Sequence, residues 1–356
     1  MADDRRTPPS TSKPDAPMDY RSAGVDLEKA ERAKEGIRGF LDGTRDADTL
    51  SSLGAFGGLY RVPTGLDEPV LVSSADGVGT KLKLAFMTGT HHTVGQCLVN
   101  HCVNDILVQG ARPLFFLDYL ATGEVEEGVV EEVVRGVAAA CAENRCALLG
   151  GETAQMPDFY DAGEYDLAGF IVGIVERGAL LDGSRIEAGD RLLALPSSGL
   201  HTNGYTLARR IVFERAGLGV DDPLPGLDGE TVGEALLRVH RSYLPLLWPE
   251  LEGRTLRGLA HITGGGIEGN LPRILPDGLG AVIDESSWEV PPLFRSLADL
   301  GGVEWGEMFR VFNMGVGMIA VTAPDAAEPL VARLREKGEA AWILGTVEEG
   351  SGVRRD

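Results

Sequence analysis

Apolar residues along this chain fall in short unbroken runs, separated by longer stretches of helical period and by glycine-rich junctions. Pro69-Val70-Leu71-Val72, Leu114-Phe115-Phe116-Leu117, Ala147-Leu148-Leu149 and the run from Leu167 to Val175 read as buried strands, because aliphatic and β-branched residues continue without a polar break. Helical patterns run between them: about 26–40 with Asp26 as N-cap, about 94–109 closing at Gly110, and about 125–144. The second half repeats the grammar, with strands at about 191–195, 280–284, 315–321 and 342–347, a helix at about 205–216, and a mostly helical stretch ending near Trp248. This alternation predicts two α/β or α+β domains facing one cleft. The proline-rich, charged residues 1–17 read as a disordered tail.

The junctions carry the chemistry. The first strand runs into Asp76-Gly77-Val78-Gly79-Thr80-Lys81. Glycines let backbone N–H groups approach a phosphate, and Thr80 and Lys81 add a donor and a positive charge. Asp76 would repel a bare phosphate, so its presence favours a Mg²⁺-nucleotide site at a strand end. A plain solvated turn is the other reading, and the spacing is not that of a Walker A loop. Asn104-Asp105 interrupts an apolar helix, Asp118 follows a strand, and Glu152 follows Gly150-Gly151. Strand ends of one sheet lie together, so Asp76, Asp105 and Glu152, with Asp118 as a fourth, are expected to converge on a cation.

Three glycine-rich turns join this set. The stretch 54–60 holds Gly57 and Gly58 with aromatic neighbours and reads either as a ligand cover or as a simple turn. Pro196 to Tyr205 packs hydroxyls, an amide, an imidazole and glycines before a helix, a pattern suited to an anion at a helix N-terminus. His261-Ile262-Thr263-Gly264-Gly265-Gly266 repeats that form.

Composition narrows the function class. With 356 residues and 43 % hydrophobic content, two ordinary cores are expected. A formal net charge of −21 argues against nucleic acid and anionic membranes as partners. It also requires an anionic substrate to be held by local positive charge and oriented N–H groups. No apolar stretch is long enough to span a bilayer and no secretory signal is evident, so a cytoplasmic enzyme is expected. Cys97, Cys102, Cys141 and Cys146 lack C-x-x-C spacing and read as free thiols of a reducing compartment.

Taken together, Asp76 to Lys81, Cys102-Val103-Asn104-Asp105, Pro113 to Tyr119, Gly150 to Ala154, Ser197-Ser198-Gly199, His201 with Asn203-Gly204-Tyr205, His261 with Thr263 to Gly266, and Phe312-Asn313 with Gly315 to Ile319 resemble the phosphoribosylformylglycinamidine cyclo-ligase family, also called aminoimidazole ribonucleotide synthetases. The resemblance covers about residues 20 to 348 in order. It implies a two-domain α/β (α+β) fold with mixed sheets and flanking helices. The tail would be 1–19, an ATP-binding and dimerisation domain 20–178, and a substrate-binding domain 179–356. The implied reaction converts formylglycinamidine ribonucleotide and ATP to aminoimidazole ribonucleotide, ADP and phosphate, with Mg²⁺, in de novo purine biosynthesis. A homodimer through the N-terminal domains is implied in the same way.

Roles carried over by resemblance are as follows. Asp76, Asp105 and Glu152 hold metal and triphosphate, with Asn104 orienting. Gly77, Gly79, Thr80 and Lys81 contact phosphate, and Gly57 and Gly58 cover the nucleotide. Ser198, Gly199 and Asn203 face the substrate, and Thr263, Gly264 and Gly265 form a second anion cradle. His201 and His261 are proton carriers or structural hydrogen-bonding groups. Leu200 stands where proline is expected, His92 where an acid is common, and Arg38 where some members carry lysine. Rival readings are a sister enzyme such as thiamine-monophosphate kinase or selenophosphate synthetase, and a catalytically dead nucleotide-binding scaffold. No cysteine precedes Cys97, which disfavours selenophosphate synthetase.

Overall fold

The computed structural model describes Tyr20, residues 27–52 and residues 54–356. The expected tail at 1–19 and the Asp26 cap lie outside the described residues. Ten strands are described: β1 (Pro69–Gly77), β2 (Arg112–Thr122), β3 (Ala147–Gln155), β4 (Tyr165–Glu176), β5 (Arg191–Pro196), β6 (Leu256–His261), β7 (Leu279–Ile283), β8 (Val316–Thr322), β9 (Trp342–Glu349) and β10 (Gly352–Arg355). They form two mixed sheets. The N-terminal sheet has the order β1-β4-β2-β3 and the C-terminal sheet β10-β7-β9-β5-β8-β6. In the first, β4 is antiparallel to both its neighbours while β2 and β3 are parallel.

Helices α1 (Leu27–Asp42), α2 (Leu82–Thr88), α3 (His92–Leu107) and α4 (Glu127–Glu143) belong to the N-terminal half. The apolar pattern of the sequence places three of these within two residues. It misses α2, β6 and β10, whose short runs lack a clear period. The helix expected at 205–216 splits into α5 (Tyr205–Arg209) and a π-helical turn, Arg210–Arg215.

Helix α3 lies between β1, β4 and α4, and most of its residues are buried. It approaches α4 so closely that side chains are excluded at the crossing. A Cβ on Gly95 would fall 2.2 Å from Val133 O, and one on Gly136 would fall 1.9 Å from His92 O. The sheet is equally tight beneath it, since a Cβ on Gly169 would meet the Phe116 ring at 2.2 Å.

The strands run further than the apolar runs suggest, and this changes where the acids point. Asp76 pairs with Gly169, Gly169 with Asp118, and Asp118 with Gly151. Residues opposite each other share a face, so Asp76 and Asp118 both point toward the helices. Glu152 is one residue beyond Gly151 and opposite Tyr119, on the other face, and it is exposed. That outer face also shows Leu71 and Phe170 to solvent, 62 % and 47 % exposed.

Replacing Gly95 with alanine should cost about 1–3 kcal/mol, because backbone rather than a flexible side chain occupies the space. Urea unfolding of Gly95→Ala measures this, and an unchanged midpoint would contradict the close crossing.

Candidate functional site

Between the two halves, α3 presents a polar edge to the segment that precedes α7 (Leu244–Glu252), with α6 (Val232–Leu237) upstream. Asn100 Nδ2 donates to His240 O at 2.8 Å, and Asn104 Nδ2 donates to Arg241 O at 3.0 Å. The Tyr243 N–H donates to Asn104 Oδ1 at 3.0 Å. Asn104 is therefore spent on holding residues 240–243 in place, and it touches the acid cluster only through His240 Nε2, 3.2 Å from its Nδ2.

One helical turn along, His101 and Asp105 meet groups from both halves. His101 Nε2 lies 2.8 Å from Asp76 Oδ2 and 3.8 Å from Asp105 Oδ2, while His101 Nδ1 lies 2.6 Å from Thr202 Oγ1. Asp105 Oδ1 lies 2.9 Å from His261 Nδ1, and its Oδ2 accepts from Ser74 Oγ at 3.0 Å. His261 Nε2 faces His240 Nε2 at 3.0 Å, and His240 Nδ1 faces Thr202 Oγ1 at 3.3 Å. His101, Thr202, His240, His261 and Asp105 thus form a ring of polar contacts that closes through the 3.8 Å approach of Asp105 to His101, and Asp76 joins it through His101 alone.

Electrostatics sorts these groups. Burial pushes both carboxyls up, but the His101 bond to Asp76 and the His261 bond to Asp105 outweigh it, so both lie below the ordinary carboxylate range. His101 is raised, because its contacts with Asp76 and Asp105 outweigh the burial that would lower it. His201, His240 and His261 are all lowered, chiefly by burial. Of the four imidazoles, His101, the one beside both carboxylates, is thus shifted toward its charged form, and the other three toward their neutral forms.

His201 is buried with a left-handed backbone, φ 61°. Its ring stacks on His240 at 3.9 Å with planes 12° apart. Its Nε2 accepts the Ser198 N–H at 3.2 Å, and its Nδ1 has no partner among the described residues. Ser198 Oγ donates to Val239 O, and Gly199 O accepts from Asn313 Nδ2 at 2.9 Å. The second turn is closed from within. Thr263 Oγ1 donates to Asn270 Oδ1 at 3.1 Å, and Asn270 Nδ2 donates to Gly264 O and Gly266 O. Gly264 lies beside Asn203, and Gly265, with φ 93°, precedes α8 (Gly266–Asn270).

The structure brings Asp76, Asp105, Asn104, His201 and His261 together and leaves several expected residues apart. Glu152 is on the opposite face of the sheet, because its strand continues through Gly150-Gly151 and side chains alternate. Asp118 stays beneath the helices over Gly151, and burial lifts its carboxyl to about 7. Gly58 lies against Leu149 of β3, and β3 and β1 are opposite edges of the sheet, so the loop with Gly57 does not cover Asp76 within this chain. Thr80 contacts Thr206 at 3.0 Å across the two halves, and Gly77 and Gly79 flank it at the β1 end.

Lys81 departs most from expectation. Its side chain is fully buried, and Nζ donates to Cys97 Sγ at 3.1 Å, His201 O at 2.9 Å and Arg238 O at 2.7 Å. All three ammonium protons are used, so none is left for a phosphate. Burial lowers its pKa, yet Cys97 and Tyr205 raise it further, and the net shift is upward. Lys81 acts here as an interlock between the halves. Sequence reasoning missed His101, Thr202 and His240. The i, i+4 spacing of His101 and Asp105 on one helix was a usable signal, whereas His240 sits in an irregular segment that carries none.

The comparisons agree with this architecture. Residues 58–175 match the model described as AIR synthase related protein, N-terminal domain, and residues 187–356 match its C-terminal domain. A phosphoribosylformylglycinamidine cyclo-ligase of Sorangium cellulosum is 53 % identical over 330 residues, 92 % of this chain and 94 % of that protein. One of Geobacillus kaustophilus is 50 % identical over 335 residues, 94 % and 96 % of the two chains. Among solved structures, thiamine-monophosphate kinase from Stenotrophomonas maltophilia aligns with a TM-score of 0.67 at 21 % identity, covering 90 % of this chain and 95 % of that one. The two halves are the two domains of the AIR synthase-related proteins. Within that class, the chain belongs to the phosphoribosylformylglycinamidine cyclo-ligase family.

Lys81→Met should lose about 3 kcal/mol of stability, because three buried acceptors lose their donor. A thermal melt of this variant at wild-type stability would reject the interlock.

Proposed function

We propose that this chain carries out the ATP-dependent ring closure of formylglycinamidine ribonucleotide to aminoimidazole ribonucleotide, with release of ADP and phosphate. The observation that carries this reading is identity of about half the residues over more than nine-tenths of relatives bearing that enzyme's name. The approach of Asp76 and Asp105 to the same His101 nitrogen at the junction of the two halves, with both carboxylates partly exposed, supports it. A solved HypE structure described as in complex with ATP shares the fold, with a TM-score of 0.60 at 21 % identity over 87 % of this chain and 84 % of that one.

The chemistry asks for charge neutralisation and positioning more than for a nucleophile on the protein. Formyl oxygen attacks the γ-phosphoryl group, and the amidine nitrogen then displaces phosphate from the activated carbon. Mg²⁺, when bound with ATP, would neutralise the triphosphate at Asp76 and Asp105, which their imidazole contacts keep ionised. Gly77, Gly79 and Thr80 stand beside Asp76 to meet the phosphates. Ser198, Gly199, Asn203 and the Thr263–Gly265 turn would hold the ribonucleotide from the other half. His261 is neutral and hydrogen-bonded to Asp105, so it suits a proton acceptor at the amidine, while His201 shapes its turn. Glu152 receives no metal role within a single chain.

We also propose a cytoplasmic homodimer. The four cysteines are buried free thiols, and no helix of the described residues is long and apolar enough to cross a membrane. The outer face of the N-terminal sheet exposes Leu71 and Phe170, apolar groups that a second copy would cover.

Two outcomes test these readings. Asp105→Asn should lower turnover by about two to three orders of magnitude, assayed as the diazotisable amine product, with the fold retained by circular dichroism. Wild-type turnover in that variant would reject the assignment. Phe170→Glu should convert the wild-type dimer to monomer in light scattering, because like charges would meet across the two-fold axis. A monomeric wild type would remove the dimer.

A further inference from the structure

The C-terminal half holds a cavity of about 350 Å³, and none of the residues assigned to ring closure lines it. It lies at the edge of the sheet where β5 ends at Pro196 and β9 begins at Trp342, with Gly315 just ahead of β8 and residues 287–291 beyond β7. β5 and β8 separate β9 from β6, the strand that ends at His261. Ligand pockets run from about 300 to about 1,000 Å³, so this one suits a molecule of mononucleotide size.

Two indoles line the cavity. The Trp288 and Trp342 rings have centroids 6.3 Å apart and planes 28° from parallel. Trp288 is fixed by its Nε1, which donates to Met314 O at 3.1 Å. Trp342 Nε1 has no such acceptor. Among the described residues six buried side-chain polar atoms lack a partner, and two of the six, Trp342 Nε1 and Ser287 Oγ, belong to residues of this lining. Buried polar groups are ordinarily paired, so two orphans at one cavity point to an acceptor supplied from outside the chain. Two charges stand at the same place. Arg335, exposed in the last turn of the helix Pro324–Glu336, donates through Nε to Ala341 O at 3.0 Å, and no carboxylate pairs with its guanidinium among the described residues. Glu289 is exposed and likewise has no cation beside it among the described residues.

We infer that this cavity binds a purine nucleoside monophosphate, at a site separate from the one proposed for ring closure. A flat bicyclic base stacks on indole surface. Its edge carries both acceptors and donors, which match the Trp342 N–H and Ser287 hydroxyl on one count and the Glu289 carboxylate on the other. The phosphate is the anion that an unpaired guanidinium binds in a fork. In a chain of net charge −21, an anion needs such a local positive group. A small aliphatic zwitterion would answer the two charges but would leave the indole wall uncovered.

Guanosine monophosphate is the probe. The full-length protein is first saturated with Mg²⁺ and a non-hydrolysable ATP analogue, which fills the nucleotide site proposed at the cleft. Equilibrium dialysis should then retain one guanosine monophosphate per chain, with quenched tryptophan emission. Arg335→Ala should weaken this binding by about 10- to 100-fold, while guanosine, which lacks the phosphate, binds both proteins equally. Trp342→Phe, which keeps a ring and removes the N–H, should weaken binding by about 5- to 10-fold and remove most of the quench. Arg335 is exposed, so its variant decides even where Trp342→Phe does not fold. No retained nucleotide, or retention unchanged in folded Arg335→Ala, overturns the site. Turnover in the ring-closure assay should be the same for Arg335→Ala and wild type. Loss of turnover together with nucleotide binding would merge the cavity with the reaction site and overturn a separate one. An inactive wild type that still retains the nucleotide through Arg335 would reject ring closure and uphold the cavity site.

Discussion

The buried polar edge of α3 is the constraint on which the rest depends. A helix enclosed by a sheet, another helix and a second domain cannot leave amides and carboxylates unpaired without a cost of about 1–3 kcal/mol for each group. Asn100 and Asn104 meet that demand by gripping the backbone of residues 240 and 241 and receiving the Tyr243 N–H. Asn144 extends the grip, donating to Asn100 Oδ1 at 2.9 Å and accepting from Ser242. These bonds fix where His240 lies, and His240 in turn fixes His261. The position of Asp105 relative to its partner from the other half follows from amides that take no part in chemistry.

The same burial explains the electrostatics. In a chain of net charge −21, the general field attracts cations and repels a nucleotide. Within the cleft, Asp76 and Asp105 would each be driven toward the neutral acid by burial alone. Imidazole contacts from His101 and His261 reverse the sign and keep both ionised. Lys81 contributes no charge to that balance at the cleft surface, because its ammonium is enclosed by a thiol and two carbonyls.

How much of this was legible in the sequence depended on period and length. The apolar runs at 114–117 and 167–175 marked real strands, and the hexapeptide beginning at Asp76 does end β1 and open the following helical turn. What the runs could not show was how far each strand continued through polar residues. β2 runs on to Thr122 and β3 to Gln155, so Asp118 and Glu152 are mid-strand. In a structure of period two, one residue decides the face, and Glu152 went to the side away from Asp76. Lys81 was misread for a related reason. A lysine after glycines suggests phosphate, but nothing local shows that a second domain will close over it with three acceptors. His240 lacked even a pattern, since an irregular segment held by another element's amides has no period to read.

Because the ring of contacts crosses between the two halves at His101–Thr202 and again at His261–Asp105, it exists only while they are docked. Asp76, His101 and Asp105 come from the N-terminal half, and Thr202, His240 and His261 from the other. Lys81 and the Thr80–Thr206 contact lie beside the ring and cross the same boundary. Opening the halves would break the ring and the interlock together, exposing an ammonium, two amides and the Asp105 carboxylate, each of which has a partner on the far side. The halves are therefore held as one unit where α3 meets residues 201–202, 240–243 and 261. A site whose polar groups are set by domain docking is held in one geometry, and fixed geometry is what positioning a nucleophile against a phosphoryl group requires.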